Sequence, residues 1–368
     1  MTEKKEKILV AMSGGVDSSV VAALLVDQGY DVAGAYMINY DTDDHEGVGA
    51  TGESCWVPDY RDAVRVAAKL GIQLLKLDFK KEYQSKVLDH MFAEYEKGRT
   101  PNPDVMCNKF VKFGSWLEKI KDLGFDKMAT GHYARLRSSS YDGQAHFSLV
   151  QAEDENKDQT YFLHQLNQEQ LSHTLFPLGD YTKTQVRELA EKFDLPTAGK
   201  EESMGICFVG EVSMEEFLRT KAANGGTGLD LSIQPGEIIM SDGTKIGEHK
   251  GLAFYTIGQR HGFEQPGGGE PLFVVDKRFD SNELVVGEKD DPLLYRDKIE
   301  LEDVHWIAGR TPDFPLKCKV RMRHRQELRE CTVDGNTIQF KNSERAVTPG
   351  QFAVFYLDGE CLGGGVVI

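Results

Sequence analysis

The chain has 368 residues, of which 40% are hydrophobic, and its formal net charge is −16. This length accommodates two or three domains. No stretch approaches the roughly 18 apolar residues of a membrane helix, and the charged N-terminus lacks a signal-peptide core, so we expect a soluble cytoplasmic protein. The acidic balance disfavours a nucleic-acid partner unless cations are concentrated locally. None of the six cysteines forms a CxxC pair, which disfavours a zinc knuckle or a cysteine-ligated cluster.

The first half of the chain alternates between strand and helix patterns. Strands are predicted at 8–12, 32–38, 72–79 and 126–130, and helices at 17–29, 59–70 and 183–192. Such alternation predicts an α/β fold, with a parallel sheet covered by helices on both faces. Ligands of these sheets bind beyond the carboxyl ends of the strands. The loop after residue 12, Met37 and Gly131 all follow strand ends, so we expect one pocket to collect them.

The second half of the chain is dominated by strand and turn patterns. Asp242-Gly243 is a hairpin signal, and from about residue 280 short strands are separated by turns such as Pro349-Gly350. We therefore predict a small central domain and a C-terminal all-β barrel. The predicted domain boundaries are 1–210, 211–280 and 281–368.

The stretch SGGVDS, from Ser13 to Ser18, joins the first strand to the first helix. Its glycines let the backbone approach an anion because no Cβ stands in the way, and the helix start offers free N–H groups and a positive dipole end. Asp17 is unusual beside an anion and fits a magnesium ion bridging to phosphates. The loop lacks the Gly-Lys-Ser/Thr ending of a Walker A motif. An ordinary turn built from small residues is the alternative.

Two cysteines lie in stretches of unusual composition. The prolines of PNPDVMC stiffen a loop that presents Asn102 and Asp104. Cys107 follows Asp104 by three residues, so a helix that starts there would place both side chains on one face. Cys107 would lie in the first turn of that helix, where the helix dipole lowers the pKa of a thiol. Cys207 lies in GICFVGE, where the glycines permit a loop. A buried structural cysteine is the alternative at both positions.

The stretch LKCKVRMRHRQ carries cations at alternate positions. These are Lys317, Lys319, Arg321, Arg323 and Arg325. In a strand, period two would place all five on one face, as phosphate contacts require. An ordinary solvated strand face is the alternative, although such faces usually mix the two signs.

The SGGxDS loop resembles the pyrophosphate loop of the N-type ATP pyrophosphatases, which adenylate an oxygen and release pyrophosphate. Most of the chain resembles the tRNA-specific 2-thiouridylase family. The matching segments run in the family's order from residue 11 to residue 365: AMSGGVDSSV, PNPDVMCNK, ATGHYAR, KDQTYFL, GICFVGE, YTIGQRHG, TPGQFAVFY and CLGGG. The paired PNPDxxC and GICFxG motifs set this family apart from other pyrophosphatases.

The resemblance implies an enzyme that replaces the C2 oxygen of the wobble uridine with sulfur in the tRNAs for Lys, Glu and Gln. ATP and Mg²⁺ are the implied cofactors, because adenylation turns a poor leaving group into AMP. Cys207 is implied to carry a persulfide delivered by a sulfur carrier or cysteine desulfurase, Asp104 to act as base or acid, and Cys107 to attack the Cys207 disulfide or assist transfer. We expect a monomer.

The resemblance also implies two sets of binding residues. The nucleotide set is Ala11, Met12, Ser13, Gly14, Gly15, Val16, Asp17, Ser18, Met37 and Gly131. The tRNA set, for a target base flipped out of its stack, is Asn102, Pro103, Asp104, His132, Lys157, Asp158, Gln159, Arg323, His324 and Gln351. The family has an aromatic residue where this chain has His324, so a stacking role there stays open.

Two other functions stay open on the residues alone. A ligase that adenylates a small molecule would need neither paired cysteines nor a basic stripe. A non-catalytic nucleic-acid-binding protein would have no use for an intact phosphate loop. Pyrophosphate release that depends on tRNA, together with thiolated uridine, distinguishes the three.

Overall fold

The computed structural model describes residues 5–41, 54, 56–141, 143–201, 215, 217–219, 233–263 and 270–368. Cys207 and the rest of its motif lie outside the described residues. The predicted fold class is confirmed: a parallel-sheet domain with helices is followed by a small central domain and a C-terminal antiparallel barrel. No helix in the described part of the chain is long and apolar enough to cross a membrane.

The elements are numbered in chain order. The strands are β1 (Lys7–Ala11), β2 (Asp31–Ile38), β3 (Leu74–Asp78), β4 (Lys127–Ala129), β5 (Arg135–Tyr141), β6 (Gln144–Val150), β7 (Thr174–Leu175), β8 (Gly236–Met240), β9 (Lys245–His249), β10 (Phe273–Arg278), β11 (Glu283–Gly287), β12 (Tyr295–Trp306), β13 (Leu316–Arg321), β14 (Arg329–Asp334), β15 (Thr337–Arg345), β16 (Phe352–Leu357) and β17 (Glu360–Val367). The α-helices are α1 (Val16–Asp27), α2 (Val57–Leu70), α3 (Lys80–Tyr83), α4 (Asp89–Glu96), α5 (Pro103–Met106), α6 (Trp116–Asp122), α7 (Thr160–Leu163), α8 (Gln168–Ser172) and α9 (Lys183–Lys192), with π-helical segments at Gln84–Leu88 and Cys107–Ser115.

The parallel sheet has the strand order β3-β2-β1-β4-β7. Its central strand β1 pairs in parallel with β2 on one side and β4 on the other. Ile8, Leu9 and Val10 are fully buried, as expected for a strand covered on both faces. Because the winding direction changes between β1 and β4, their carboxyl ends flank the crevice where such sheets bind ligands.

The central domain is a four-stranded sheet in the order β10-β11-β8-β9 with its own apolar core. The predicted hairpin at Asp242-Gly243 joins β8 to β9, and Gly243 has the positive φ of 90° that such a turn needs. Strand β11 pairs with both β10 and β8. The predicted boundary at residue 281 therefore falls inside this sheet, and the sheet extends to Gly287.

The barrel closes through the strand order β12-β15-β14-β13-β16-β17, with β17 returning to pair with β12. A hairpin from the first half of the chain adds to its outside. Strand β6 pairs with β17, joining Val150 to Glu360 and Leu149 to Cys361. The sequence patterns did not predict this hairpin, which makes the barrel sheet continuous with the α/β domain.

A buried ion pair also joins these two parts of the chain. Asp158, just before α7, lies 2.9 Å from the guanidinium of Arg321 at the end of β13. Asp158 also accepts a hydrogen bond from the Thr160 hydroxyl at 2.9 Å. Asp158 is 1% exposed and Arg321 7% exposed, so neither charge is solvated and each depends on the other.

We predict that Arg321→Met destabilises the protein because it leaves the Asp158 carboxylate buried without its counter-charge. The expected loss in the free energy of unfolding is about 3–5 kcal/mol, measured by urea denaturation of the full chain. The double variant Arg321→Met with Asp158→Asn should recover most of that loss. A loss below about 1 kcal/mol, the range of exposed pairs, would show that the pair does not hold the two parts together.

Candidate active site

The SGGVDS loop is held open by its own hydroxyl groups at the N-terminus of α1. Gly14 has a φ of 75° and Gly15 is the N-cap of the helix. The Ser18 hydroxyl accepts a hydrogen bond from the backbone N–H of Ser13 at 3.1 Å, and the two serine hydroxyls lie 3.2 Å apart. Ser13 is exposed, whereas Gly14 and Ser18 are buried. The loop thus forms a preshaped cradle for an anion at a helix N-terminus.

Asp17, in the first turn of α1, has two partners. Its Oδ1 accepts hydrogen bonds from the Lys183 ammonium at 2.6 Å and from the Tyr133 hydroxyl at 3.0 Å. Lys183 is the first residue of α9, which Thr182 and Gln185 cap reciprocally. Sequence analysis missed Lys183. A lysine in the first turn opposes the helix dipole, and that conflict is the sequence signal that points to a special role for Lys183.

Gly131 closes the other side of the cradle. A Cβ on Gly131 would lie 3.1 Å from the backbone nitrogen of Ser18 and 3.2 Å from Cβ of Asp17. Only a residue without a side chain fits comfortably there, because such spacing is tighter than ordinary van der Waals contact. The structure therefore brings the loop after β1 and the end of β4 together, as predicted.

The remaining residues of the nucleotide set differ in their burial and in their place on the sheet and helix. Met12 is buried, and its side chain packs against Gly34 of β2. Met37 is buried near the end of β2. Ala11 ends β1, and Val16 is buried at the start of α1. Met12 can therefore face a ligand through its backbone alone. The binding roles of this set stay predictions.

Lys200 is a second residue that sequence analysis missed. Its ammonium donates hydrogen bonds to the Gly14 carbonyl at 3.1 Å, to Asp59 at 2.7 Å and to Asp62 at 2.6 Å. Burial acts to lower the pKa of Lys200, but the bonds to the two carboxylates outweigh it and raise that pKa. Lys200 is therefore charged at neutral pH. Its bond to the Gly14 carbonyl joins the segment after α9 to the phosphate loop.

The PNPDVMC stretch begins a helix. Asn102 is the N-cap, and its side-chain oxygen accepts a hydrogen bond from the Val105 N–H at 3.3 Å. Because Pro103 takes the first helical position, Asp104 lies in the first turn and Cys107 one turn later. The prediction that Cys107 lies in the first turn is wrong. Asp104 and Cys107 still share a helix face at a spacing of three residues.

Cys107 is 2% exposed, so its thiol is buried. The segment that follows it is fastened from several directions. Asn108 donates to the Phe162 carbonyl at 3.1 Å, and Lys109 donates to the Gln165 side chain at 2.8 Å. The region around α7 therefore fixes the helix that carries Cys107. A structural role for this cysteine stays open beside the chemical one.

The tRNA-set residues His132 and Gln159 both contact the segment that follows β4. His132 is half-buried, and its Nδ1 lies 2.7 Å from the Thr130 hydroxyl. Burial, and then the charge of Lys112, hold the pKa of His132 well below its ordinary value, so the ring is neutral. Gln159 accepts a hydrogen bond from the Tyr133 N–H at 3.0 Å. Contacts of these residues with tRNA stay predictions.

The five-cation stripe does not exist in the structure. Strand β13 ends at Arg321, and the chain turns away at Arg325, whose φ is 64°. Arg321 is buried against Asp158, so Lys317 and Lys319 are the exposed cations of this strand. The same ion pair buries Asp158, and a direct contact of Asp158 with tRNA does not fit its position.

Arg323 and His324 are packed between domains. Arg323 donates to the Ile257 carbonyl of the central domain at 2.6 Å and to the Ala346 carbonyl of the barrel at 3.0 Å. The His324 ring packs against Phe162 with ring centroids 4.7 Å apart. Burial, and then the charge of Arg325, lower the pKa of His324 to about 4. A neutral, packed ring is compatible with an aromatic residue at this position.

Gln351, another member of the tRNA set, contacts the stretch that precedes Asn102. Its side-chain amide donates to the Thr100 carbonyl at 2.8 Å and to the Pro101 carbonyl at 3.1 Å. The barrel therefore reaches directly to the loop that begins the Cys107 helix.

Comparison with known proteins covers almost the whole chain. The tRNA-specific 2-thiouridylase MnmA of Shouchella clausii is 46% identical over 98% of this chain and 96% of its own length. The protein of the same name from Acinetobacter baumannii is 43% identical over 99% of this chain and 97% of its own length. This chain belongs to the tRNA-specific 2-thiouridylase family. The thiouridylase resemblance seen in the motifs is confirmed.

Three family models match successive parts of this thiouridylase-family chain. They are described as a tRNA methyl transferase HUP domain (residues 6–211), a tRNA methyl transferase PRC-barrel domain (230–288) and an aminomethyltransferase beta-barrel domain (296–367). Among solved structures, a 4-thiouridine synthetase–RNA complex with bound ATP gives a TM-score of 0.36 at 14% identity, over 55% of this chain and 45% of that chain.

We predict that His324→Phe makes stability less dependent on pH. The native ring stays neutral down to about pH 4, whereas an unfolded histidine gains a proton below about pH 6.5. The free energy of unfolding linked to His324 is therefore fully present above about pH 6.5 and is lost as the pH drops toward 4. Urea denaturation at about pH 7.5 and about pH 5 should show a smaller loss for the variant. Equal losses for both proteins would contradict the packed, neutral ring.

Proposed function

We propose that this chain replaces the C2 oxygen of the wobble uridine in the tRNAs for Lys, Glu and Gln with sulfur, using ATP to activate that oxygen. The observation that carries the proposal is the open cradle at Ser13–Ser18, closed by Gly131 and faced by Lys183. Two of the matching family models are described as tRNA methyl transferase domains, whereas the relatives are named 2-thiouridylases. Methyl transfer has no use for a site that binds pyrophosphate, so the cradle favours thiolation. The relatives' nearly full-length match supports the same choice.

The nucleotide steps fall to the α/β domain. The backbone N–H groups and serine hydroxyls of the cradle bind the β- and γ-phosphates, and the helix dipole favours their charge. Lys183 neutralises charge that develops as pyrophosphate leaves, because a fixed cation in a partly desolvated site stabilises such charge strongly. Attack by the C2 oxygen on the α-phosphate joins AMP to the base, and that oxygen later leaves as part of AMP.

A magnesium ion fits this site when it is shared with the phosphates. In the ranges that the structure describes, no cluster of three or more His, Cys, Asp or Glu side chains forms a metal site. Mg²⁺ commonly takes one or two carboxylates and completes its shell with phosphate oxygens and water. Asp17 would supply one carboxylate oxygen. When bound, the ion supplies charge stabilisation for the pyrophosphate leaving group.

The sulfur steps fall to the two cysteines. A sulfur carrier or cysteine desulfurase delivers sulfur, and Cys207 holds it as a persulfide. The terminal sulfur attacks C2 of the adenylated base and AMP departs, which leaves the base joined to Cys207 through a disulfide. The Cys107 thiolate then attacks the Cys207 sulfur, and the electron pair of the broken bond stays on the sulfur of the base. A thiol reductant must reduce the resulting Cys107–Cys207 disulfide before the next cycle.

The tRNA is held by the segment Asn102–Asp104, with Asp104 as acid or base for the flipped uridine. We place His132, Lys157, Gln159, Arg323, His324 and Gln351 along its path. The protein acts as a monomer in the cytoplasm. Its first domain is an ATP pyrophosphatase domain. The central domain, whose sheet extends to Gly287, and the barrel contact the tRNA. The exposed pair Lys317 and Lys319 offers phosphate contacts on the barrel surface.

The proposal is tested by mixing the protein with ATP, Mg²⁺, unmodified tRNA for Glu, a cysteine desulfurase with cysteine as the persulfide source, and a thiol reductant. Pyrophosphate should appear only with tRNA present, and 2-thiouridine should accumulate at the wobble position in equal amount. A control tRNA with cytidine at that position should yield neither product. ATP breakdown that is indifferent to tRNA, without thiouridine, would reject the proposal in favour of a small-molecule ligase.

We predict that Lys183→Met and Asp17→Asn each slow tRNA-dependent pyrophosphate release by about 100-fold or more, as is typical when a preorganised electrostatic group is removed. Affinity for tRNA should stay within about twofold, because the phosphate loop is not expected to contact RNA. The matched control is Lys192→Met, at the exposed far end of the same helix α9, and it should keep the wild-type rate. Near wild-type release by Lys183→Met would remove this lysine from the reaction.

A further inference from the structure

Two cysteines face each other across neighbouring strands of the barrel. Strands β13 and β14 are antiparallel, and Cys318 lies directly opposite Cys331. Their sulfur atoms are 3.7 Å apart. Opposite residues of such a pair have Cα atoms about 4.5–5.5 Å apart, inside the range of about 4.4–6.8 Å that a disulfide spans. The two sulfur atoms can therefore approach to bonding distance without a change of strand register.

The pair lies on the buried side of these strands. Along β13, Cys318 and Val320 are buried, whereas Lys317 and Lys319 are exposed. Both cysteines belong to the apolar cluster that the barrel strands share. Cys318 is 7% exposed and Cys331 is 6% exposed, so a reagent that reaches their sulfur atoms must be small. Hydrogen peroxide, which is little larger than water, meets that requirement, whereas the thiol of another protein does not.

The two thiols are not chemically equivalent. The hydrogen bond with Cys331 outweighs burial and lowers the pKa of Cys318. The same hydrogen bond, and then burial, raise the pKa of Cys331. A thiolate is the nucleophile in the oxidation of cysteine, and a neighbouring thiol resolves the product to a disulfide. The arrangement therefore favours Cys318 for the attack and Cys331 for the resolution.

A bond between these cysteines would close the connection from β13 to β14. Cys318 and Cys331 are 13 positions apart in sequence, and the chain between them carries Arg323 and His324. Arg323 contacts carbonyls of the central domain and of the barrel, and His324 packs against Phe162. A disulfide stabilises a fold chiefly by restricting the unfolded chain. It would therefore hold both ends of this connection in their folded positions.

We propose that Cys318 and Cys331 form a dithiol that hydrogen peroxide oxidises to a disulfide, which fixes both ends of the connection. The Cys318 thiolate attacks one oxygen of the peroxide, the O–O bond breaks, and the departing hydroxide takes up the proton of the thiol to become water. The Cys331 sulfur then attacks the sulfur of the Cys318 sulfenic acid. The S–O bond breaks, and the second oxygen leaves as water with the proton of Cys331. The two thiols thus supply the two electrons that reduce the peroxide, and the inference does not depend on the proposed function.

The first test maps the disulfide in the full chain carrying Cys107→Ser and Cys207→Ser, so that the cysteines of the proposed reaction take no part. The protein is treated with hydrogen peroxide, its remaining thiols are alkylated after denaturation, and the unreduced peptides are identified by mass spectrometry. We expect a cross-linked peptide that joins Cys318 to Cys331 and that dithiothreitol separates. Cys361 is the internal control, because it is also buried but its sulfur lies 3.9 Å from the Thr160 carbonyl, and it should stay a free thiol. Recovery of Cys318 and Cys331 as alkylated thiols or as sulfinic acids, without the cross-link, would overturn the proposal.

Two further variants separate the roles of the two thiols. Cys331→Val and Cys318→Val each keep a buried side chain of similar volume. Dimedone, which traps sulfenic acid, should label Cys318 when Cys331→Val removes the resolving thiol. It should not label Cys331 in the Cys318→Val protein. An adduct on Cys331 and none on Cys318 would contradict the direction of attack.

The effect on the fold is measured by thermal unfolding and by hydrogen exchange. The oxidised protein should unfold at a Tm about 5 °C above that of the reduced protein, and the amide hydrogens of residues 322–328 should exchange more slowly. In the matched Cys331→Val protein, peroxide should change neither quantity. A Tm that stays the same or falls although the cross-link has formed would show that the disulfide does not fix this connection, and that part of the inference would be rejected.

Discussion

The open N-terminus of α1 is the constraint around which the α/β domain is organised. A helix start that is left free for an anion needs small residues on every side, and the chain supplies Gly14, Gly15 and Gly131 at the points of closest approach. It also needs positive charge that does not fill the cradle. Lys183 supplies that charge while paired with Asp17, and Lys200 fixes the loop from behind through the Gly14 carbonyl. The switch point between β1 and β4 provides the opening.

The barrel is structurally continuous with the α/β domain. Its sheet continues into the α/β domain through β6, its strand β13 completes a buried ion pair with Asp158, and its turn at Gln351 holds the start of the Cys107 helix. A free-standing recognition domain would need only an exposed face. This arrangement instead makes the helix that carries Cys107 depend on residues more than 200 positions away in sequence. The match to the 2-thiouridylase of Shouchella clausii likewise runs over 98% of this chain.

Sequence patterns predicted those parts of the fold that depend on neighbouring residues. Strand β1 is a continuous apolar run, α9 carries its own caps, and the Asp242-Gly243 turn has the required backbone preference, so each was found. The patterns failed where residues far away in sequence determine a side chain's contacts or the end of a strand. Lys183 and Lys200 form their hydrogen bonds with residues 138 to 186 positions away in sequence. No local periodicity reveals such partners. The cation stripe failed for the same reason, because Arg321 is buried by a carboxylate from another domain and the strand stops there. Cys107 was placed one turn too early because Pro103, and not a later residue, opens the helix.

The central claim is that the C2 oxygen of the wobble uridine is adenylated before sulfur replaces it. The direct measurement uses tRNA whose wobble uridine carries ¹⁸O at C2, with ATP, Mg²⁺ and sulfide, followed by mass spectrometry of the AMP released. The account predicts one ¹⁸O atom in AMP for each 2-thiouridine formed. AMP without ¹⁸O, produced alongside 2-thiouridine, would mean that the oxygen leaves by another route and that the nucleotide site serves a different step.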